Sequence, residues 1–172
     1  MLLAAQCLTG IAMEGPITAS EIKAISASHP PYNSVVNRLD FAAFSDHEPE
    51  SSSISTSGFG SVSGSNTSIT MEFLRPLSVV AVMVQTLKAA TAGSWGIGYM
   101  GGAKVQALVG TVWETVFTYP SVLSGSGVLA PDGKAYNEKW PNKIPVGRVC
   151  SAIRLLKPSG YVCASTFIPI IG

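Results

Sequence analysis

The sequence predicts an all-β protein: an antiparallel β-sandwich of jelly-roll type, with long loops gathered at one end and a short N-terminal arm. Three observations carry this expectation. Ile69, Met71 and Phe73 alternate with Thr70 and Glu72, the period of two expected where one face of a strand is buried. Residues 77–87 form a run rich in β-branched residues, apolar on both faces and free of Gly and Pro, which marks a central strand covered on both sides. Roughly six strand segments follow residue 68, separated by Gly and Pro turns rather than by helices, which is the pattern of a sandwich or barrel.

Taken in order, short helices are expected at most near residues 4–13, ahead of Gly15 and Pro16, and near residues 33–44. Half of residues 51–68 are serine, and three more are glycine, so this stretch reads as a long polar loop or a weakly patterned edge segment. Arg75 and Pro76 end the first alternating strand. Residues 89–102 contain five glycines, too many for a strand interior, and form a loop. Residues 104–109 turn Val105, Ala107 and Val109 inward, Gly110 and Thr111 make a turn, and residues 112–118 run back as a hairpin. Trp113, inside that strand, is assigned to the core. Residues 119–143 are a second long loop with an Asp132–Gly133 turn, and residues 146–156 and 161–170 close as a hairpin about residues 157–160. With strands alternating in direction, the turns at Pro76, Gly110 and Pro158 share one end. Loops 88–103 and 119–145 then share the other, which gathers Trp95, Tyr99, Tyr119, Tyr136 and Trp140.

A chain of 172 residues is long enough for one domain with a sizeable core. Lys and Arg total 11, Asp and Glu total 10, and only 12% of residues are charged, about half the usual ~25%. No polyelectrolyte partner is implied. So few ions give little protection against self-association, which suits a subunit of an assembly or a domain coated with uncharged polar residues. Residues 1–13 are mostly apolar with no basic residues before them, so no signal peptide is expected. No apolar run approaches the ~20 residues that cross a bilayer. An apolar, cap-less segment of that length does not stand alone as a helix in water, so residues 1–15 read as an arm docking through Leu2, Leu3, Leu8 and Ile11, ahead of a domain over residues 16–172.

The three cysteines, Cys7, Cys150 and Cys163, are an odd number without metal spacing. Centring the closing hairpin between Pro158 and Ser159 sets Cys163 opposite Arg154 and Cys150 opposite Phe167, which leaves the thiols free.

Residues 96–101 match GxGxxG, but a hairpin rather than a helix follows and no acidic residue lies ~20 positions on, so they read as loop. Asp46, His47, Glu48 and Glu50 offer metal-ligand chemistry at no standard spacing and read as a solvated acidic turn. With only His29 and His47 and no nucleophile motif beside either, no enzyme is expected. No cofactor is expected either. Lys134, Lys139, Lys143, Arg148, Arg154 and Lys157 are scattered and read as a solvated face rather than a specific nucleic-acid surface.

The order ITMEF, Pro, LSVVAVMVQ, a Gly-rich loop with Trp, AKVQALVG, TVWETVFTY, a long loop, IPVGRVCSAIRLL, KPSG and YVCASTFIPI resembles the discoidin-like, or galactose-binding-like, β-sandwich. The upstream ISASHPPYNSVVNRLDF is similar to that family's early segment, and the resemblance spans residues 17–170. It implies an accessory module of the kind found in bacteriophage tails, collars and baseplates. The expected function is therefore a non-enzymatic structural subunit of a virion, made in the host cytoplasm and bound to other virion proteins and to copies of itself. The alternative is a carbohydrate-binding module that contacts a glycan through Trp95, Tyr99, Tyr136 and Trp140. As Trp and Tyr, these four suit either a sugar platform or a protein interface.

Overall fold

The computed structural model describes residues 13–32, 37–45, 58–85, 100–121 and 142–172. Its elements are β1 (Gly15–Pro16), β2 (Ile22–Ala27), α1 (Phe41–Ser45), β3 (Phe59–Gly60), β4 (Gly64–Gln85), β5 (Lys104–Val109), β6 (Val112–Thr118), β7 (Asn142–Gly160), β8 (Cys163–Ala164) and β9 (Thr166–Ile171). All ladders are antiparallel. The main path runs β1-β9-β4-β7-β5-β6 with β2 also on β4, and β3 pairs β8.

The architecture turns on β4. Its N-terminal half, with Ile69, Met71 and Phe73 buried as their alternation requires, pairs β2 on one edge and the end of β7 on the other. Its C-terminal half pairs β9 and the start of β7. Gly64 faces Gly160, Gln85 faces Thr166, and only residues 160–166 join those partners. Six residues reach at most ~20 Å, whereas a straight β4 would separate its ends by ~70 Å. β4 therefore folds back on itself, and β7 folds with it. The larger layer is β2, the first half of β4, the second half of β7, β5 and β6. The smaller is β1, β9 and the remaining halves of β4 and β7. Residues from both layers form one core, including Ile69, Met71, Val79, Val84, Ile153, Leu155 and Phe167.

Bulges make the fold-back possible. Between the pairs Glu72–Ala152 and Leu77–Cys150, β4 takes five residue steps against two of β7. Pro76 sits in this excess, where no ladder bond is needed from its nitrogen. The expected turn at Pro76 is thus a bulge inside one 22-residue strand. β7 in turn carries an extra residue between Pro145 and Arg148, with Gly147 at φ +60°, the left-handed geometry a G1 bulge demands.

The closing hairpin and the cysteine register built on it are corrected. The closing hairpin does not form: β7 and β9 flank β4 instead of pairing, because β7 stays in register with residues 64–67 as far as Gly160. Cys150 accordingly faces Leu77 and Cys163 faces Gly60, and both are buried with no disulfide among the described residues, as expected though by a different register; Cys7 lies outside the described residues. Of the two readings of the serine-rich stretch, its described part follows the edge segment: it is strand at Phe59–Gly60 and again from Gly64 onward, with the buried Thr67 hydroxyl donating 3.0 Å to the Gly160 carbonyl. Of the two expected helices, residues 41–45 form a short one, capped by Asp40 Oδ1 accepting from the Ala43 N–H at 2.7 Å. The other lies outside the described residues for all but Met13. The β5–β6 hairpin about Gly110 and Thr111 and the central strand, as far as Gln85, form as expected.

One end of the sandwich, the fold end, holds residues 73–76, 147–150 and the β5–β6 turn. The other, the loop end, holds Gln85, Met100, Tyr119, Asn142 and residues 58–64 and 160–166. Segments 33–36, 46–57, 86–99 and 122–141 all attach to the described chain at the loop end. Pro158 belongs to this end rather than to the turn end.

Candidate functional site

Trp95, Tyr99, Tyr136 and Trp140 lie outside the described residues, as do Leu2, Leu3, Leu8 and Ile11 of the expected arm and Asp46, His47, Glu48 and Glu50. The described loop end nevertheless carries its own polar and aromatic groups. Tyr32 is held there by its N–H donating 2.7 Å to the Gly60 carbonyl and by the bridge from Pro31 to Ser61. The ring is 45% exposed and stands edge-on to Tyr161, centroids 6.0 Å apart at 73°, a favourable aromatic geometry. Neither tyrosine lies in a periodic strand, so only long-range pairing brings them together.

His29 lies beside them at the end of β2. Ser28 N–H donates 3.0 Å to the Ser68 carbonyl, and Ser68 N–H donates 2.7 Å to Ser28 Oγ. Ser28 Oγ is 2.8 Å from His29 Nδ1. The Ser28 hydroxyl also lies 3.3 Å from the Asn66 carbonyl, which it can reach as a donor, so the direction of its bond to Nδ1 follows the imidazole tautomer. A Cβ on Gly64 would fall 2.4 Å from Nε2, so the imidazole lies against bare backbone. Among the described residues no carboxylate holds His29, and Ser28 with His29 lacks the third group of a hydrolytic triad.

Lys157 donates its ammonium to the Gly101 carbonyl, tying β7 to the turn that precedes β5. Burial lowers its pKa, with the nearby Cys163 opposing that shift. Tyr119 is buried, its N–H on the Ala103 carbonyl at 2.8 Å and its ring 5.1 Å from Phe117, so it braces the loop base. Arg38 and Asp40 form an exposed pair at 3.4 Å, and Arg38 N–H donates to the Gly58 carbonyl at 2.9 Å. The loop end thus presents two tyrosines and an imidazole on a cross-braced backbone.

A second cluster lies on the outer face of the larger layer, and it corrects the place of Trp113. Trp113 faces Leu108, not the inward Ala107 or Val109, so its half-buried ring lies outside the core. The Arg154 guanidinium stacks on it at 4.1 Å. Arg154 Nε donates to Gln106 Oε1 at 2.7 Å, and Gln106 Nε2 donates to Thr115 Oγ1 at 2.8 Å. Burial lowers the Arg154 pKa.

At the fold end, a cleft of about 410 Å³ is lined by residues that include Met13, Arg75, Pro76 and Ile171. Among the described residues no three of His, Cys, Asp and Glu come together at metal-binding distance, and no helix is long and apolar enough to cross a membrane.

These layers and loop placements define a discoidin-like β-sandwich. No protein-family model matches the sequence, and no curated protein matches it. The fold is similar to that of the CBM32-1 and CBM32-2 domains of Clostridium perfringens ZmpB, with TM-score 0.60, 10% identity and 91% of this chain covered. The chain spans only 37% of that structure's length. It is also similar to the family 32 carbohydrate-binding module of C. perfringens NanJ, solved in complex with galactose, with TM-score 0.55, 12% identity, and coverage of 92% of this chain and 99% of that one. A third similar structure is an F5/8 type C domain from Bacteroides fragilis, with TM-score 0.54, 14% identity, and coverage of 92% and 96%.

Proposed function

We propose that this chain is a non-enzymatic carbohydrate-binding module that takes a sugar at its loop end. The observation that carries the reading is the half-exposed Tyr32, set against Tyr161 at the one end of the sandwich where the long segments attach. Tyrosine rings offer a flat apolar face to sugar C–H groups and a hydroxyl to sugar oxygens. His29 beside them supplies a ring nitrogen. Trp95, Tyr99, Tyr136 and Trp140 belong to segments attached at this end and extend the aromatic supply. The similar structures favour this reading over a virion docking subunit, because several of them are family 32 carbohydrate-binding modules, and two of those were solved with galactose or GalNAc.

A glycan array followed by titration calorimetry tests it. Binding to a galactose- or GalNAc-terminated glycan is expected, weakened about tenfold by Tyr32→Ala or Tyr161→Ala, the loss of one aromatic contact. No binding to any glycan, or affinities unchanged in both variants and in Trp95→Ala and Trp140→Ala, would remove the reading.

A further inference from the structure

We propose that the outer face of the larger layer holds a second ligand site, which takes the carboxylate or sulfate of an acidic saccharide through Arg154, Thr115 and Trp113. The oxyanion is inferred from the cluster itself, while the saccharide that carries it rests on the glycan-binding reading above.

Register aligns Ser26, Thr70, Arg154, Gln106 and Thr115 into one rung across β2, β4, β7, β5 and β6. Gln106 is only 7% exposed although it lies on the outer face, because its amide is bonded at both ends within the rung. That amide orients its neighbours. Arg154 Nε is committed to Gln106, which leaves the Nη1 and Nη2 edge for a ligand. Thr115 Oγ1 already accepts from Gln106, so its own proton is directed elsewhere, and Thr115 is exposed. The groups of the cluster with no hydrogen-bond partner among the described residues are therefore donors: two guanidinium nitrogens, a hydroxyl proton and the indole N–H. Their complement is an acceptor-only group, and a planar oxyanion fits the guanidinium fork two-point.

The charges agree. Among the described residues no acid pairs with Arg154. Glu72 on the same face is held by Lys23 at 3.1 Å, and Glu114 by Arg148 at 2.9 Å. Lys104, two residues along β5 from Gln106 and so on the same face, adds a second positive charge. Burial already weakens the protonation of Arg154, so this is a partly desolvated cation with no described counter-ion. Trp113 is half-buried, so the part of its ring beside the stacked guanidinium that stays exposed offers apolar surface to the C–H groups of a sugar.

Calorimetry on the full chain, with trigalacturonate and galactose 6-sulfate as separate probes, tests this. At least one is expected to bind, more weakly as salt is added, and saturating neutral galactose leaves it bound. Arg154→Gln and Thr115→Val are each expected to weaken it about tenfold, the size of one charge-assisted or oriented hydrogen bond. Thr115 is exposed, so its variant decides the matter even if Arg154→Gln fails to fold. Failure of both acidic probes to bind, displacement by galactose, or affinity unchanged in Thr115→Val overturns the site. Tighter binding of a polyglutamate peptide than of either saccharide overturns the carrier. Absence of neutral galactose binding counts against the loop-end reading alone.

Discussion

Gly58→Ala tests how tightly the loop end is braced. Gly58 has φ +98°, and a Cβ there would fall 2.2 Å from the Ala164 carbonyl oxygen and 2.7 Å from Ser165 Cα. Both are backbone atoms that cannot swing aside. The positive φ costs an L-residue about 1–2 kcal/mol, and forced overpacking adds about 1–3 kcal/mol, so the variant should lose about 2–5 kcal/mol. Gly147→Ala isolates the first contribution: φ is +60° and nothing lies within 4 Å of the added Cβ, so its loss should stay near 1–2 kcal/mol. Urea denaturation of both variants beside the parent chain gives the difference, and each kcal/mol should lower Tm by about 2–4 °C at this size. The strand pair Phe59–Ala164 would have to part to admit the methyl group. Equal losses in the two variants would refute the close approach of β3 and β8 on which the loop end is built.

Other outcomes follow from the same contacts. Phe44 is fully buried, with its ring 6.3 Å from Phe167, so Phe44→Ala should cost about 3–5 kcal/mol in urea denaturation; a loss below ~1 kcal/mol would contradict its place in the core. Asp40→Ala removes the cap on the Ala43 N–H and should cost about 0.5–2 kcal/mol, read the same way. Cys150 is buried, and that burial pushes its thiol from 9.0 to about 11. The unfolded chain therefore gives up this proton first, so the contribution is intact below pH 9 and is lost as pH rises to about 11. The full loss is about 3 kcal/mol, from ~1.4 kcal/mol per unit. Urea midpoints from pH 8 to 11 should fall more steeply in the parent chain than in Cys150→Ala, and parallel curves would contradict the assignment.

Much of the fold was legible because the signals were local. The alternation at residues 69–73, the β-branched run after Leu77 and the Gly110–Thr111 hairpin each specify a strand from their own neighbours. The errors lay where long-range pairing overrides punctuation. Pro76 looks like a stop, yet a bulge accommodates it because β7 follows β4 around the fold. Pro158 and Gly160 look like a turn, yet residues 64–67 hold them in a ladder. Trp113 was readable: with Val105, Ala107 and Val109 inward and a two-residue turn, opposite residues share a face, so Trp113 follows Leu108 outward. Arg154 then lies beside it only through the β5–β7 register, which no local pattern encodes. Tyr32 and Tyr161 are further from reach, being 129 residues apart in the chain and joined through the small β3–β8 sheet.

The central claim, that the loop end is the sugar-binding end, is tested most directly by residue-resolved NMR during titration with galactose and GalNAc. The account predicts saturable shifts at His29, Tyr32 and Tyr161, with Leu74, Val112 and Val149 at the fold end unmoved. Shifts confined to the fold end, or none at saturating sugar, would contradict it.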